Sequence, residues 1–239
     1  MSREFRFKRV LLKISGEALK GTQDHGYDAE AVREVVSRVK RIIDQDVEVA
    51  LVVGAGNIWR GVMGRSGGMD RVNADYMGML ATVMNALCLR DFFTAAGVPA
   101  IVQSSIGMEP IAPRYDRVKA IRALEAGQLV IFAGGTGSPF FTTDTTAVLR
   151  ALETDCDAVL KATKVDGVYT ADPMKDPSAR RFATLSFDEA LSRQLKVMDS
   201  TAFSMCRDND LPIIVFNFSD PESFEAVLAG DTAYGTIVS

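Results

Sequence analysis

The sequence predicts an α/β fold in which a mainly parallel sheet is covered by helices on both faces. Two observations support this prediction. Short apolar runs alternate with segments of helical periodicity from one end of the chain to the other. Several of these runs are apolar at almost every position, as expected for strands that are buried on both faces. Alternating strands and helices favour parallel strands joined by helical crossovers.

Each element follows from its own pattern. The first two strands are predicted at residues 10–14 and 47–53, and the helix between them, residues 29–44, carries apolar residues at helical spacing. A long helix is predicted over residues 70–96. Its expected apolar side comprises Met77, Leu80, Val83, Met84, Leu87 and Phe92. The later strands are predicted at residues 98–102, 129–133, 158–161 and 212–217, and the later helices at residues 114–126, 145–153, 187–195 and 199–208.

The composition argues against several classes of protein. The chain has 239 residues, of which 47% are hydrophobic, so one domain over residues 1–239 can bury a large core. A net charge of −4 without a basic block gives no support to a nucleic-acid-binding face. Neither a bilayer-spanning run nor a signal peptide is evident, so no membrane association and a cytoplasmic location are expected.

The histidine and cysteine counts narrow the chemistry further. His25 is the only histidine, which excludes a multi-histidine metal site. The GxSxG match at residues 64–68 does not follow a predicted strand, so no nucleophile elbow supports a serine hydrolase. The three cysteines, Cys88, Cys156 and Cys206, form no CxxC pair. They are expected to be small buried or half-buried residues.

A glycine-rich loop follows the predicted strand at residues 129–133. Residues 134–144, Gly-Gly-Thr-Gly-Ser-Pro-Phe-Phe-Thr-Thr-Asp, combine three glycines, four hydroxyl side chains and one carboxylate. Glycines let backbone N–H groups approach an anion, and hydroxyls suit a polar ligand. The carboxylate, Asp144, could orient a lysine or hold Mg²⁺ through water, or it could cap the following helix.

Two other loops also follow apolar strands. Residues 13–17, Lys-Ile-Ser-Gly-Glu, could place the lysine over a bound phosphate, although a strand-end lysine that only extends to water is the alternative. Residues 53–61, Val-Gly-Ala-Gly-Asn-Ile-Trp-Arg-Gly, partly match a dinucleotide-binding fingerprint. Trp59 stands at its third glycine position, and Asp75 falls inside a predicted helix. A phosphate-binding turn with Arg60 as a counter-charge fits better, with a plain strand-to-helix turn as the alternative.

Further candidates lie in the long helix and in residues 161–173. Asp75 is either an exposed helical carboxylate or an acceptor for two sugar hydroxyls. Residues 161–173 read Lys-Ala-Thr-Lys-Val-Asp-Gly-Val-Tyr-Thr-Ala-Asp-Pro and are either a solvated loop or part of a donor site. The donor-site candidates are Lys161 and Lys164 for phosphates, Tyr169 for a base, and Asp172 for a ribose or an adenine amino group. Parallel sheets bind ligands beyond the carboxyl ends of their strands, where all three glycine-bearing loops are predicted.

Together these motifs resemble those of the amino acid kinase superfamily and, within it, the bacterial uridylate (UMP) kinases. The most specific matches are residues 135–144 and 160–173, with support from residues 13–17 and 195–199. The resemblance covers essentially the whole chain. It implies a three-layer α/β/α sandwich, usually assembled as a homohexamer, that phosphorylates UMP to UDP with Mg·ATP in pyrimidine nucleotide biosynthesis. It also implies GTP as a plausible activator and UTP as a plausible inhibitor.

The resemblance assigns roles to individual residues, with the N-terminal half on the acceptor side and the C-terminal half on the ATP side. The catalytic residues would be Lys13, Asp144, Lys161 and Lys164. ATP would be bound by Lys13, Ile14, Ser15, Gly16, Gly56, Arg60, Thr163, Tyr169 and Asp172. UMP would be bound by Ala55, Asp75, Thr136, Gly137, Ser138, Pro139, Phe140, Phe141, Thr142 and Thr143. No residue would bind a metal directly, because Mg²⁺ would arrive with ATP and contact Asp144 through water.

One departure from the family pattern and several rival functions stay open. Ala55 stands where family members commonly have the middle of three glycines, and alanine does not easily adopt positive φ. The backbone could therefore approach the acceptor phosphate differently. The rival functions are a sister kinase for carbamate, an acylated amino acid or another small phosphate, a nucleotide sensor without activity, and an NAD-binding oxidoreductase.

Overall fold

Residues 5–60 and 68–239, which the computed structural model describes, form eight strands, seven α-helices and one 3₁₀ turn at Gly16–Leu19. The strands are β1 (Arg9–Ile14), β2 (Glu48–Val53), β3 (Ala100–Ser104), β4 (Leu129–Ala133), β5 (Ala158–Thr163), β6 (Thr184–Leu185), β7 (Ile213–Asn217) and β8 (Gly235–Val238). The helices are α1 (Ala29–Ile43), α2 (Arg71–Ala95), α3 (Arg117–Glu125), α4 (Thr143–Glu153), α5 (Phe187–Ser192), α6 (Ser200–Asp208) and α7 (Ser223–Leu228). Residues 1–4 and 61–67 lie outside the described residues. Gly61, the last residue of the glycine-bearing loop predicted at residues 53–61, is among them.

All eight strands belong to one sheet with the order β3-β4-β2-β1-β5-β7-β8-β6. Every neighbouring pair is parallel except β7 and β8. The prediction of a mainly parallel sheet is therefore confirmed. The central strand β1 lies between β2 and β5, in a register that sets Lys13 beside Val52 on one side and Lys161 on the other.

The sheet is the middle of three layers because side chains of each strand alternate between two apolar cores. On one face, Leu12 of β1 and Leu51 of β2 pack with residues of α1, α2 and α7. On the other, Leu11 of β1 and Val52 of β2 pack with residues of α3, α4, α5 and α6. Strands buried on both faces explain the continuous apolar runs in the sequence.

Capping residues account for the helix boundaries that the sequence misplaces. Helix α3 begins at Arg117, three residues later than predicted, because the Asp116 carboxylate accepts a hydrogen bond from the Lys119 amide. Helix α4 begins two residues earlier than predicted, because the Thr142 side chain caps it. Asp144 therefore lies in the first turn of α4 and is not its N-cap. The 3₁₀ turn, β6, α7 and β8 were not predicted individually.

The expected apolar side of α2 is half right. Val83 is buried, and Leu87 and Phe92 pack against the core. Met77, Leu80 and Met84 are instead 40%, 46% and 53% exposed. The buried side of α2 instead includes Thr82 and Asn85, together with small and aromatic residues. Because this helix has apolar residues around most of its circumference, hydrophobic periodicity did not identify the side that faces the sheet.

Cysteine burial agrees with expectation. Cys156 and Cys206 are buried and Cys88 is half-buried, all as free thiols. Within the described ranges, no helix combines the length and apolarity that a membrane span requires.

Candidate active site

Two lysines and one aspartate form a charged cluster at the carboxyl ends of the central strands. The Lys13 ammonium lies 2.8 Å from Asp144 Oδ1, and the Lys161 ammonium lies 2.7 Å from Asp144 Oδ2. The adjacent strands β1 and β5 bring the lysines side by side, and the first turn of α4 brings the carboxylate. Lys161 also donates to the Val197 carbonyl at 2.6 Å. Both lysines therefore form ion pairs with the same carboxylate.

Asp144 is ionised at neutral pH despite its burial. Its side chain is largely buried, and burial alone would raise the pKa of the carboxyl group. The charges of Lys13 and Lys161 outweigh burial and hold the pKa below its ordinary value. One negative and two positive charges leave the cluster with a net positive charge, which suits an anionic ligand such as a phosphate.

The loops after β1 and β2 pack directly against each other. A Cβ at Gly16 would lie 2.3 Å from the Gly54 carbonyl oxygen, so no larger residue fits without displacing backbone. Ala55 is not among the residues with positive φ, and neither are its two glycine neighbours. The replacement of a glycine by Ala55 therefore causes no strain at that position. These glycines allow close packing of two loops rather than a left-handed backbone.

Arg60 and Lys164, two residues expected to bind phosphate, both form ion pairs with Glu17. The Arg60 guanidinium is 2.6 Å from Glu17 Oε1, and the Lys164 ammonium is 3.9 Å from Glu17 Oε2. The Lys164 side chain is 90% exposed. The structure thus brings Lys161, but not Lys164, to Asp144.

The loop after β4 has the backbone that its glycines suggested. Gly134, Gly135 and Gly137 all have positive φ, between 57° and 80°. Phe140 also has positive φ (73°), and its N–H donates to Asp75 Oδ2 at 2.8 Å. This hydrogen bond connects the loop to α2 and gives Asp75 a contact that its sequence position did not reveal.

A cavity of about 190 Å³ lies between α2 and the loops after β2 and β4. Trp59 forms part of its wall and is fixed by a hydrogen bond of 2.9 Å from Nε1 to the Ala74 carbonyl. Of the residues expected to bind UMP, those lining this cavity are Ala55, Asp75, Phe141, Thr142 and Thr143. The others lie along the remainder of the same loop: Thr136, Gly137, Ser138, Pro139 and Phe140.

A second cavity, of about 410 Å³, lies beyond the carboxyl end of β5. Lys161, Thr163, Tyr169 and Asp172 line it, as expected for a donor site. Residues 193–197 complete the wall. Lys161 borders this larger cavity, and Thr143, the neighbour of Asp144, borders the smaller one. The charged cluster is therefore adjacent to both cavities, although Lys13 and Asp144 line neither.

Sequence reasoning missed a buried arginine that supports the loop after β4. Arg150 is 5% exposed and donates to Ser105 Oγ at 2.8 Å, while the Ser105 hydroxyl donates to the Gly135 carbonyl at 2.6 Å. The guanidinium lies 3.6 Å from the centroid of the Tyr115 ring and pairs with Glu153. The position of Ser105 just after β3 was the available signal, whereas nothing in the local sequence pointed to Arg150.

Asp199 joins the two sides of the site. Its carboxylate accepts hydrogen bonds from the hydroxyls of Thr142 and Thr145 and from the Ala202 amide at the start of α6. This carboxylate therefore connects the cap of α4 to the segment that lines the larger cavity.

The site offers a cation little direct coordination by protein. No group of three or more His, Cys, Asp or Glu side chains suited to a metal occurs within residues 5–60 and 68–239. Both oxygens of Asp144 are engaged by lysines. These residues fit a Mg²⁺ ion that arrives on a nucleotide and meets the carboxylate through water, because Mg²⁺ usually keeps several waters.

Comparison with known proteins agrees with this geometry. Residues 8–217 match the model of the amino acid kinase family. The chain is similar to a crystal structure of UMP kinase from Bacillus anthracis, with a TM-score of 0.94 and 37% identity over 98% of this chain and 96% of that one. It is also similar to UMP kinase from Ureaplasma parvum, with a TM-score of 0.92 and 37% identity over 98% and 99% of the two chains. Uridylate kinase from Archaeoglobus fulgidus is more distant, with a TM-score of 0.74 and 27% identity over 96% and 99%. The chain belongs to the amino acid kinase family.

Proposed function

We propose that the protein is a UMP kinase, which transfers the γ-phosphoryl group of Mg·ATP to UMP and releases UDP and ADP. The observation that carries this proposal is the Lys13–Asp144–Lys161 cluster, which is adjacent to two cavities of unequal size. Similarity to two UMP kinases at 37% identity over nearly the whole chain supports the choice of substrate.

The larger cavity is the donor site in this proposal. Thr163, Tyr169 and Asp172 hold the adenosine end of ATP, and the phosphates extend along Lys161 towards Lys13. Residues 14–16, with Gly56 and Arg60 opposite, contact the phosphates. Residues 14–16 and Gly56 supply backbone N–H groups and Arg60 supplies its guanidinium, and both kinds of donor suit a phosphate.

The smaller cavity is the acceptor site. Asp75 accepts hydrogen bonds from the two ribose hydroxyls of UMP, for which one carboxylate has enough acceptor capacity. The Ala55 backbone and residues 136–143 surround the remainder of the nucleotide. We propose that residues 136–143 determine the preference for uridine.

The reaction then needs alignment and charge neutralisation more than proton transfer. A phosphate oxygen of UMP attacks the γ-phosphorus of ATP, and the bond from that phosphorus to the β,γ-bridging oxygen breaks. The attacking oxygen is already ionised near neutral pH, so no general base is required. Lys13 and Lys161 stabilise negative charge on the transferring group, and Asp144 holds both ammonium groups in place. Asp144 would meet the Mg²⁺ of ATP through water, and the ion would supply neutralisation of part of the phosphate charge.

Assembly and regulation follow the family in this proposal. The exposed apolar side chains Met77, Leu80 and Met84 lie along α2 at helical spacing, and such a stripe on a helix suits contact with another subunit. We infer a homohexamer, with GTP as activator and UTP as inhibitor, in a cytoplasmic enzyme of pyrimidine nucleotide biosynthesis. Light scattering measures the oligomeric state, and a monomer at micromolar concentration would refute this part.

The test of substrate is ADP release from Mg·ATP with UMP, CMP, dUMP, AMP and carbamate offered as separate acceptors. We expect strong turnover with UMP and much weaker turnover with the other acceptors. Strong turnover with a different acceptor would refute UMP as the substrate but would leave the assignment to the amino acid kinase family unchanged. ATP binding without turnover of any acceptor would favour a nucleotide sensor.

A further inference from the structure

Asn57 and Asn85 form a reciprocal amide pair in the protein interior. The two residues are 1% and 0% exposed. Asn57 Nδ2 donates to Asn85 Oδ1 at 3.0 Å, and Asn85 Nδ2 donates to Asn57 Oδ1 at 2.8 Å. Each Nδ2 also donates to a backbone carbonyl, at 3.1 Å from Asn57 to Gly26 and at 2.7 Å from Asn85 to Gly54. The donors of both amides are therefore fully used.

The pair connects three separate segments of the chain. Asn57 belongs to the loop after β2, Asn85 to the buried side of α2, and Gly26 to the loop before α1. The Gly26 N–H also donates to the Asn57 carbonyl at 2.8 Å. The Gly54 carbonyl that Asn85 holds is the one against which Gly16 packs. Asn85 therefore holds the carbonyl at which the loops after β1 and β2 meet, beside the hydrogen bond of 3.0 Å from the Gly54 N–H to the Ile14 carbonyl.

Stability alone does not account for this arrangement. Neighbouring residues of α2, Ala86 and Leu89, are buried and apolar. Burying amides costs free energy that their hydrogen bonds only offset, and apolar residues of similar volume often serve as well. A fully satisfied polar network does, however, define one geometry.

We propose that Asn57 and Asn85 are positioning residues, which hold the backbone of residues 54–56 where phosphoryl transfer requires it. The proposal rests on the proposed function, because it takes these residues to contact the phosphates. It separates two effects of the pair. Loss of one amide should reduce both stability and turnover, whereas replacement of both should restore part of the stability and none of the turnover.

The test compares Asn85→Leu with the double variant Asn57→Ala/Asn85→Leu. The single variant leaves Asn57 without its partner, so we expect a lower Tm and a loss of kcat of about tenfold or more. The double variant should recover only part of the Tm, because the Gly26 and Gly54 carbonyls still lack their side-chain donors, while kcat stays low. Thr154→Val is the matched control, because it also removes one buried hydrogen bond. The Thr154 hydroxyl donates to the Arg150 carbonyl at 2.6 Å, at the C-terminal end of α4 and away from Asp144. It should lower the Tm without changing kcat.

Two kinetic results would overturn the proposal. One is recovery of kcat together with Tm in the double variant, and the other is a loss of kcat in Asn85→Leu no greater than in Thr154→Val.

A second measurement does not depend on turnover. Trp59 is the only tryptophan and follows Asn57 by two residues, so acrylamide should quench its fluorescence more strongly in the double variant. Unchanged quenching would contradict the proposal even if the protein phosphorylates none of the acceptors, a result that would separately refute the proposed function.

Discussion

Replacing Gly16 with alanine should separate the two loops that surround the transferred phosphate. The new Cβ would lie 2.3 Å from the Gly54 oxygen and 2.5 Å from Asn57 Oδ1, whereas ordinary contact begins at 3.4 Å. The nearest obstacle is backbone rather than the end of a flexible side chain. The loops must therefore move apart by about 1 Å, the scale of misplacement that can cost about 10²-fold in rate.

The assay for Gly16→Ala is steady-state turnover with UMP and Mg·ATP, accompanied by a thermal melt. We expect kcat to fall on the order of 10²-fold. Overpacking of this kind costs roughly 1–3 kcal/mol, which lowers the Tm by several degrees but leaves the protein folded at room temperature. The loss of turnover should therefore exceed any loss explained by unfolding.

Gly54→Ala is the matched control, since it adds a methyl group to the other side of the same contact. Its Cβ would meet its nearest neighbour, the Gly16 amide nitrogen, at 3.4 Å, which is ordinary contact. We expect a loss of several-fold at most. If folded Gly16→Ala turns over within about twofold of the unaltered protein, the close contact of the loops does not position the phosphate.

Three further predictions concern single residues. Asp75→Asn should raise the KM for UMP at least about tenfold with little change in the KM for ATP, and equal changes would contradict its assignment to the acceptor. Burial raises the pKa of all three thiols, to about 12 for Cys156 and Cys206, and Cys88 is only half-buried. Iodoacetamide at about pH 8 should therefore label Cys88 first, which peptide mass spectrometry can measure. Since the pKa of Asp144 is lowered on folding, its stabilisation is present above the ordinary carboxyl pKa and is lost as pH falls through the folded value. The Tm difference between Asp144→Asn and the unaltered protein should therefore shrink from neutral pH towards about pH 3, and a constant difference would contradict this.

The sheet and the positions of its ligand loops were predictable from the sequence. Strands buried on both faces give continuous apolar runs, and parallel strands gather their carboxyl ends at one edge. For this reason Lys13, Lys161 and Asp144 could be named before their distances were known. Spacing alone did not separate Lys161 from Lys164. The distinction depends on strand pairing, since β5 sets Lys161 directly beside Lys13.

What the sequence could not reveal depends on contacts between distant segments. Asn85 and Thr82 look like polar positions of a solvent-facing helix side, yet both face the interior. Their partners are backbone groups of other loops: Asn85 donates to the Gly54 carbonyl, and the Thr82 hydroxyl accepts from the Gly134 amide at 2.9 Å. No local pattern encodes such pairs. They became visible only when the fold placed α2 against the loops after β2 and β4.

Lys13 has the main role in the proposed mechanism, where it stabilises the phosphoryl group during transfer. The most direct measurement of this role is the single-turnover rate of UDP formation by Lys13→Ala at saturating UMP and Mg·ATP, with UMP binding followed separately by Trp59 fluorescence. We expect a loss of rate on the order of 10²-fold or more with little change in UMP affinity, because charge on the transferring group develops only in the transition state. A near-normal rate in the folded variant would contradict it.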